Sequence, residues 1–185
     1  MTNSARFRDF IARTRELVER HGADEKRIFS EGAPLLAELV GHDDWLPAEY
    51  ARDSAESYRQ YLLYCDPRER FSVVSFVWGP GQRTPIHNHT VWGLVGMMRG
   101  EEICEEYAPP VAGEPMRKTG EHRILPGEID RVVEHDDAAM AKHAAGGGEG
   151  FVVERGVEER VREVGAEGAA HLHRPHRSPA RRSPA

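Results

Sequence analysis

The residues best suited to chemistry in this chain are His87 and His89, separated by Asn88 in the stretch Thr84-Pro85-Ile86-His87-Asn88-His89-Thr90-Val91-Trp92. Strand side chains alternate, so histidines two apart project from one face and can hold a metal ion between them. Neutral imidazole nitrogens suit iron, zinc or copper. The competing reading is a chance pair with one ring on a solvated turn, which the apolar neighbours Pro85, Ile86, Val91 and Trp92 disfavour. A second polar residue stands out at Gln60. Alternation through residues 58–65 puts Gln60 on one face with Tyr58, Leu62 and Tyr64. Gln60 is then either an edge-strand or solvent-facing residue, or a hydrogen-bond donor lining a pocket, because a period of two does not say which face is buried.

Positioning the histidines requires strands on either side of them. Residues 71–78 read as a strand broken by Gly79-Pro80-Gly81, a corner where a barrel strand can bend sharply. After His89 an apolar run closes at Arg99-Gly100 and is followed by a charged return strand over residues 101–107. A further strand is expected around His122-Leu125, ended by Pro126-Gly127. The N-terminal part has helical spacing instead. Ser4 can cap a helix through Phe7, Phe10, Ile11, Leu17 and Val18 that ends at His21-Gly22. A second helical start lies at Asp24, and after Gly32 a short helix runs from Pro34 to Val40. Trp45 anchors the next loop, and His21 and His42 read as solvent-facing loop residues.

A chain of 185 residues and 20.8 kDa supports one compact core. Its net charge of −6 and pI near 5.9 argue against nucleic acid or an anionic membrane as partners, and point to a small molecule. No signal-like or membrane-spanning apolar segment is evident, so a cytoplasmic location is expected. Cys65 and Cys104 cannot form a disulfide framework and read as buried thiols.

The stretch from Gly81 to His89 resembles the first motif of the cupins. The longer run from Phe71 to Gly100, preceded by Tyr58-Arg59-Gln60-Tyr61, resembles the bacterial thiol dioxygenases, which comprise cysteine dioxygenase and 3-mercaptopropionate dioxygenase. The resemblance implies a mainly β fold, a cupin double-stranded β-helix barrel with a helical N-terminal cap. It also implies a non-haem Fe(II) held by three histidines, two of them His87 and His89. The glutamate of the general cupin motif is absent from residues 90–94, which fits a three-histidine site. Gly93 stands where the animal enzymes carry a cross-linked cysteine, as in the bacterial branch. Tyr58 and Gln60 become the implied substrate-binding residues. Cysteine-specific enzymes carry an arginine at the position of Gln60, and enzymes acting on 3-mercaptopropionate a glutamine. The implied reaction adds both atoms of dioxygen to the sulfur of a small thiol, 3-mercaptopropionate or cysteine, with no organic cofactor.

After about Val132 the family pattern stops. Counting from Gly127 to the third histidine of the family lands on Met140, with His135 and His143 as the nearest candidates, and no Ser-Ile-Ser-Ile-His-Val-Tyr segment follows. Thirteen of the fourteen aromatic residues lie at or before Tyr107. The expected organisation is a cupin domain over residues 1–132, with a helical cap over 1–57 and barrel strands over 58–132. Residues 133–185 are then a divergent, largely disordered tail that leaves the barrel incomplete at its C-terminal end, as a shifted reading frame would. Within the tail, residues 151–164 have the spacing of a short amphipathic helix, and His171, His173 and His176 form either a loose metal cluster or solvated residues. The alternatives to an active dioxygenase are a non-catalytic cupin-like metal binder and an inactive truncated or frameshifted relative.

Overall fold

A computed structural model of the chain describes residues 4–22, 24–89, 91–132 and 140–155. Two helices come first, α1 (Ser4–His21) and α2 (Glu25–Val40). The strands β1 (Arg59–Cys65), β2 (Phe71–Trp78), β3 (His87–Asn88), β4 (Gly93–Tyr107), β5 (Lys118–Ile124), β6 (Ile129–Val132) and β7 (Met140–Arg155) follow.

The pairing resolves into two antiparallel layers, because β4 and β7 are long enough to serve both. In the first layer β1 pairs with β2, β2 with residues 148–155 of β7, that segment with residues 93–97 of β4, and these with β6. In the second, β3 pairs with residues 140–141 of β7, residues 140–147 pair with residues 101–107 of β4, and β4 pairs with β5. This is the two-sheet jelly roll of a double-stranded β-helix. Among the described residues no pairing joins the outer strands of the two sheets.

The crossing point explains a difference from the sequence reading. Arg99-Gly100 is not a hairpin turn, and residues 101–107 do not return along the preceding strand. They continue it into the second sheet through register shifts between Met97 and Arg99 and between Glu101 and Glu102. Gly100 sits at the bend with φ of 78° and lies opposite Gly148, a backbone region open mainly to glycine.

Residues 140–155, assigned from composition to a tail, form β7, the central strand of both sheets. A strand hydrogen-bonded on both edges can be held by its backbone, and large neighbours can supply the volume its small residues lack. Trp78 lies opposite Gly148 and Phe76 opposite Gly150. Residues 151–155 are therefore strand rather than the start of an amphipathic helix. Residues 156–164, His135, His171, His173 and His176 lie outside the described residues.

The helices cover the outer face of the first sheet. Leu36, Leu39, Val40, Phe71, Val73, Trp92, Leu94 and Met98 form one buried cluster with Phe10, Ile11 and Ile28. The fit is close at Gly96, where a Cβ would lie 2.9 Å from Leu36 Cγ and 3.0 Å from Val40 Cγ1. Residues on alternate positions of β4, Val95 and Met97, thus face the space between the sheets. The same contact accounts for α2 being one helix rather than two. Pro34 lies inside it, but the buried residues Ile28, Phe29, Gly32, Leu36 and Leu39 run continuously past it against the sheet. Ser4 is the first described helical residue, and its hydroxyl accepts a bond from Arg8 rather than capping the helix. His21 ends α1 with Nε2 2.9 Å from Glu31 Oε1, while His42 is exposed. Trp45 anchors its loop, 2 % exposed, with Nε1 donating to the Leu39 carbonyl.

On β1 the expected alternation breaks. Leu62 pairs with Val74 and Tyr64 with Val73, so a bulge at Leu63 separates Tyr64 from the face carrying Leu62.

The turn after β1 holds a buried ion pair. Asp66 is fully buried, and its carboxylate accepts from Arg70 Nε at 2.7 Å and Nη2 at 3.0 Å, and from the Arg68 amide at 3.1 Å. The Arg70 guanidinium, against the opposing effect of burial, holds the Asp66 carboxyl below its ordinary value. Asp66→Ala, which removes the hydrogen bonds from Arg70 and the Arg68 amide while Arg70 keeps Glu19 as a partner, should cost roughly 2 kcal/mol in urea unfolding. Because the folded value is depressed, this stabilisation is present above about pH 4, the unfolded aspartate range, and is lost as pH falls through the lower folded value. A variant as stable as wild type at pH 7 would rule that role out.

Candidate metal centre

The loop that delivers His87 and His89 is tied at both ends. Gly79 donates its amide to Gln82 Oε1 at 2.7 Å, and Gln82 Nε2 donates to the Ser54 carbonyl at 2.7 Å, which fixes the corner after β2. Thr84 then clamps β7. Its amide donates to the His143 carbonyl at 2.9 Å, and the His143 amide donates to Thr84 Oγ1 at 3.0 Å. These two bonds bring His143 beside the earlier pair across 59 positions of sequence.

The three imidazoles face one another in a nearly equilateral triangle. Ring centroids are 4.9 Å apart for His87 and His89, 5.4 Å for His87 and His143, and 5.3 Å for His89 and His143. Their candidate ligand nitrogens all lie within 4.8 Å of one another, with His143 Nε2 3.3 Å from His89 Nε2. The other ring nitrogens of two of them are engaged. His87 Nδ1 lies 3.0 Å from the Pro85 carbonyl, a contact that requires its proton, and His143 Nδ1 lies 2.6 Å from Glu102 Oε1. Both arrangements leave Nε2 for a metal, the pairing of imidazole with carbonyl or carboxylate usual behind metal-bound histidine. Among the described residues the group contains no carboxylate ligand, so the donor set is three imidazoles, and in their neutral form they fit a divalent transition metal such as iron.

Glu102, which the sequence reading did not single out, is the buried partner of His143. It is 5 % exposed inside the fold, and its charge is balanced by His143. Burial lowers the proton affinity of His143, but the neighbouring Cys104 sulfur and Glu102 carboxylate outweigh it and push the pKa up to about 10. Metal and proton therefore compete for this ring.

Among the candidate third ligands, the structure brings His143 to the site. Met140 pairs with Asn88 three residues before it. The strand pairing places Gln60, one of the two implied substrate residues, on the inward face. Gln60 lies opposite Phe76, Phe76 opposite Gly150, and Gly150 opposite Met97, and directly opposed residues share a face. A Cβ at Gly150 would point to within 3.9 Å of Glu102 Oε2, which places that row on the same side as the histidine partner. Tyr58 stacks on Trp78 at 4.3 Å, and its hydroxyl lies 3.5 Å from Gln60 Nε2.

No protein-family model matches the chain. Among solved structures, an RmlC-like cupin from Shewanella frigidimarina is 13% identical, with 65% of this chain and 96% of that chain covered at a TM-score of 0.45. A cupin superfamily protein from Desulfitobacterium hafniense is 13% identical over 63% of this chain and 94% of that one, at 0.45. An RmlC-like cupin with a double-stranded β-helix fold from Methanocaldococcus jannaschii is 16% identical over 60% and 91%, at 0.40. These neighbours are cupins. The fold of the present chain is read from its own strand pairing. Among the described residues no helix is long and apolar enough to cross a membrane.

Proposed function

We infer that this protein is a non-haem Fe(II) thiol dioxygenase that converts 3-mercaptopropionate, or more slowly cysteine, to its sulfinate. The observation that carries the reading is the convergence of His87, His89 and His143, with no carboxylate beside them among the described residues. The sequence resemblance supplies the substrate class. Bound iron would supply thiol acidification and dioxygen activation. The balance is closed, since a thiol and one dioxygen give one sulfinic acid, with two sulfur–oxygen bonds formed and no external reductant.

The chain's own residues bind and orient. The three imidazoles hold the ion, and Glu102 and the Pro85 carbonyl keep two of the rings turned toward it. Gln60 and the Tyr58 hydroxyl offer neutral hydrogen bonds to the substrate carboxylate, and Trp78, Phe76 and Met97 line the same side and limit water.

The test is iron content alongside oxygen uptake with 3-mercaptopropionate. About one iron per chain with stoichiometric sulfinate supports the reading. Iron bound without turnover would instead favour a non-catalytic metal binder. Gln60→Arg offers a finer check, because arginine makes a bidentate, charge-assisted contact where glutamine makes a neutral one. The kcat/KM ratio of cysteine to 3-mercaptopropionate should rise by about tenfold. An unchanged ratio removes Gln60 from the substrate site.

A further inference from the structure

A second cluster of metal-ligating side chains lies on the inward face beside the three histidines, formed by residues other than those three. Cys104 on β4 pairs directly with His122 on β5, so both project to one side of the second sheet. Asp130 comes from β6 in the opposite sheet. It pairs with Val95, which faces the interior, whereas its neighbour Ile129 pairs with Gly96 on the helix-packed side. Two sheets therefore send three different donors to one point. The Cys104, His122 and Asp130 ligand atoms all lie within 4.8 Å of one another, with His122 Nε2 2.9 Å from Asp130 Oδ2.

We propose that Cys104 Sγ, His122 Nε2 and one Asp130 oxygen bind a second divalent metal ion, zinc by the chemistry of the donors. Thiolate, imidazole and carboxylate are each zinc ligands, and a mixed set of three leaves a fourth tetrahedral position for water. Tetrahedral zinc places its ligand atoms about 3.4–3.6 Å apart. Occupation thus requires that the His122–Asp130 pair open by a few tenths of an ångström, that Cys104 Sγ settle to that spacing from within 4.8 Å, and that both the proton shared by His122 Nε2 and Asp130 and the thiol proton pass to solvent. Behind the ring, Glu106 Oε1 faces His122 Nδ1 at 3.6 Å, where a carboxylate favours the tautomer that leaves Nε2 free. Cys104 is buried and His122 is partly open, so the ion has a rigid inner ligand and an entry side.

Cys104 also lies opposite His143, so its sulfur stands between the two clusters. The proposal assigns that sulfur to the His122 side, independently of any dioxygenase activity. The experiment is a Co²⁺ titration of the full reduced chain, because a sulfur-to-cobalt charge-transfer band reports thiolate ligation and a histidine-only site gives none. The band is expected in wild type and in a His87→Ala/His89→Ala chain, and is expected to be lost in Cys104→Ser and weakened at least tenfold in affinity in His122→Gln. Zinc absorption spectroscopy on the unmutated chain, which depends on no variant folding, should show one sulfur at about 2.3 Å. No sulfur around bound zinc overturns the proposal. So does a band that disappears with His87 and His89 yet survives His122→Gln, since the thiol would then serve the histidine triad.

Discussion

Replacing His143 with alanine should strip the triad of its metal while leaving the sheets paired. The triad has three donors, and with the ring gone His87 and His89 remain as a two-point site of the kind that holds iron weakly. Even residues that only orient a ligand change metal affinity by roughly 10–100-fold, so removal of the ligand itself should exceed about a hundredfold. Iron per chain, measured after gel filtration, should fall close to zero, and oxygen uptake with 3-mercaptopropionate should fall with it. The clamp to Thr84 uses the His143 backbone and survives the substitution. The chain should therefore keep its far-UV circular dichroism. Full metal content in the folded variant would exclude His143 as the third ligand.

Glu102→Ala should weaken iron binding by about 10–100-fold without removing any ligand. The carboxylate accepts from His143 Nδ1 at 2.6 Å, and without it the ring loses both its orientation and the charge that makes Nε2 a strong donor. Glu102→Gln keeps an acceptor oxygen of the same reach but not the charge, so its loss should lie between wild type and Glu102→Ala. This ordering separates a positioning role from simple damage to the core, which both substitutions would share. Equal metal affinity in all three proteins would show that Glu102 is a buried charge unrelated to the centre.

Much of this was legible where side-chain volume and spacing act locally. The apolar run of β2, the helical spacing of α1 and the pair His87 and His89 are all sequence patterns with one dominant physical reading. The segment around His143 has no such signal. Its neighbours are alanine, lysine and glycine, because a strand flanked on both edges can be held by backbone hydrogen bonds while its partners supply bulk. Glu102 was hidden for a different reason. Charges at 101, 102, 105 and 106 put carboxylates on both faces of β4. Only the folded register leaves the Glu102 side chain at 6 % exposure and that of Glu101 at 35 %. In the sequence the bend of β4 reads as a reversal into a return strand, because Arg99-Gly100 carries the same glycine that a tight turn uses.

The central position of β7 also dictates the order in which the molecule can be made. A ribosome delivers β2 and β4 well before residues 140–155, yet these two strands find their shared partner only in that last segment. Until it emerges, neither sheet has its middle strand and the backbone edges of β2 and β4 stand open to other chains. Folding of both sheets thus waits for residues 140–155, with long-range pairings that slow it. His87, His89 and His143 come together in the same step, so an ion held by the three would also secure β7.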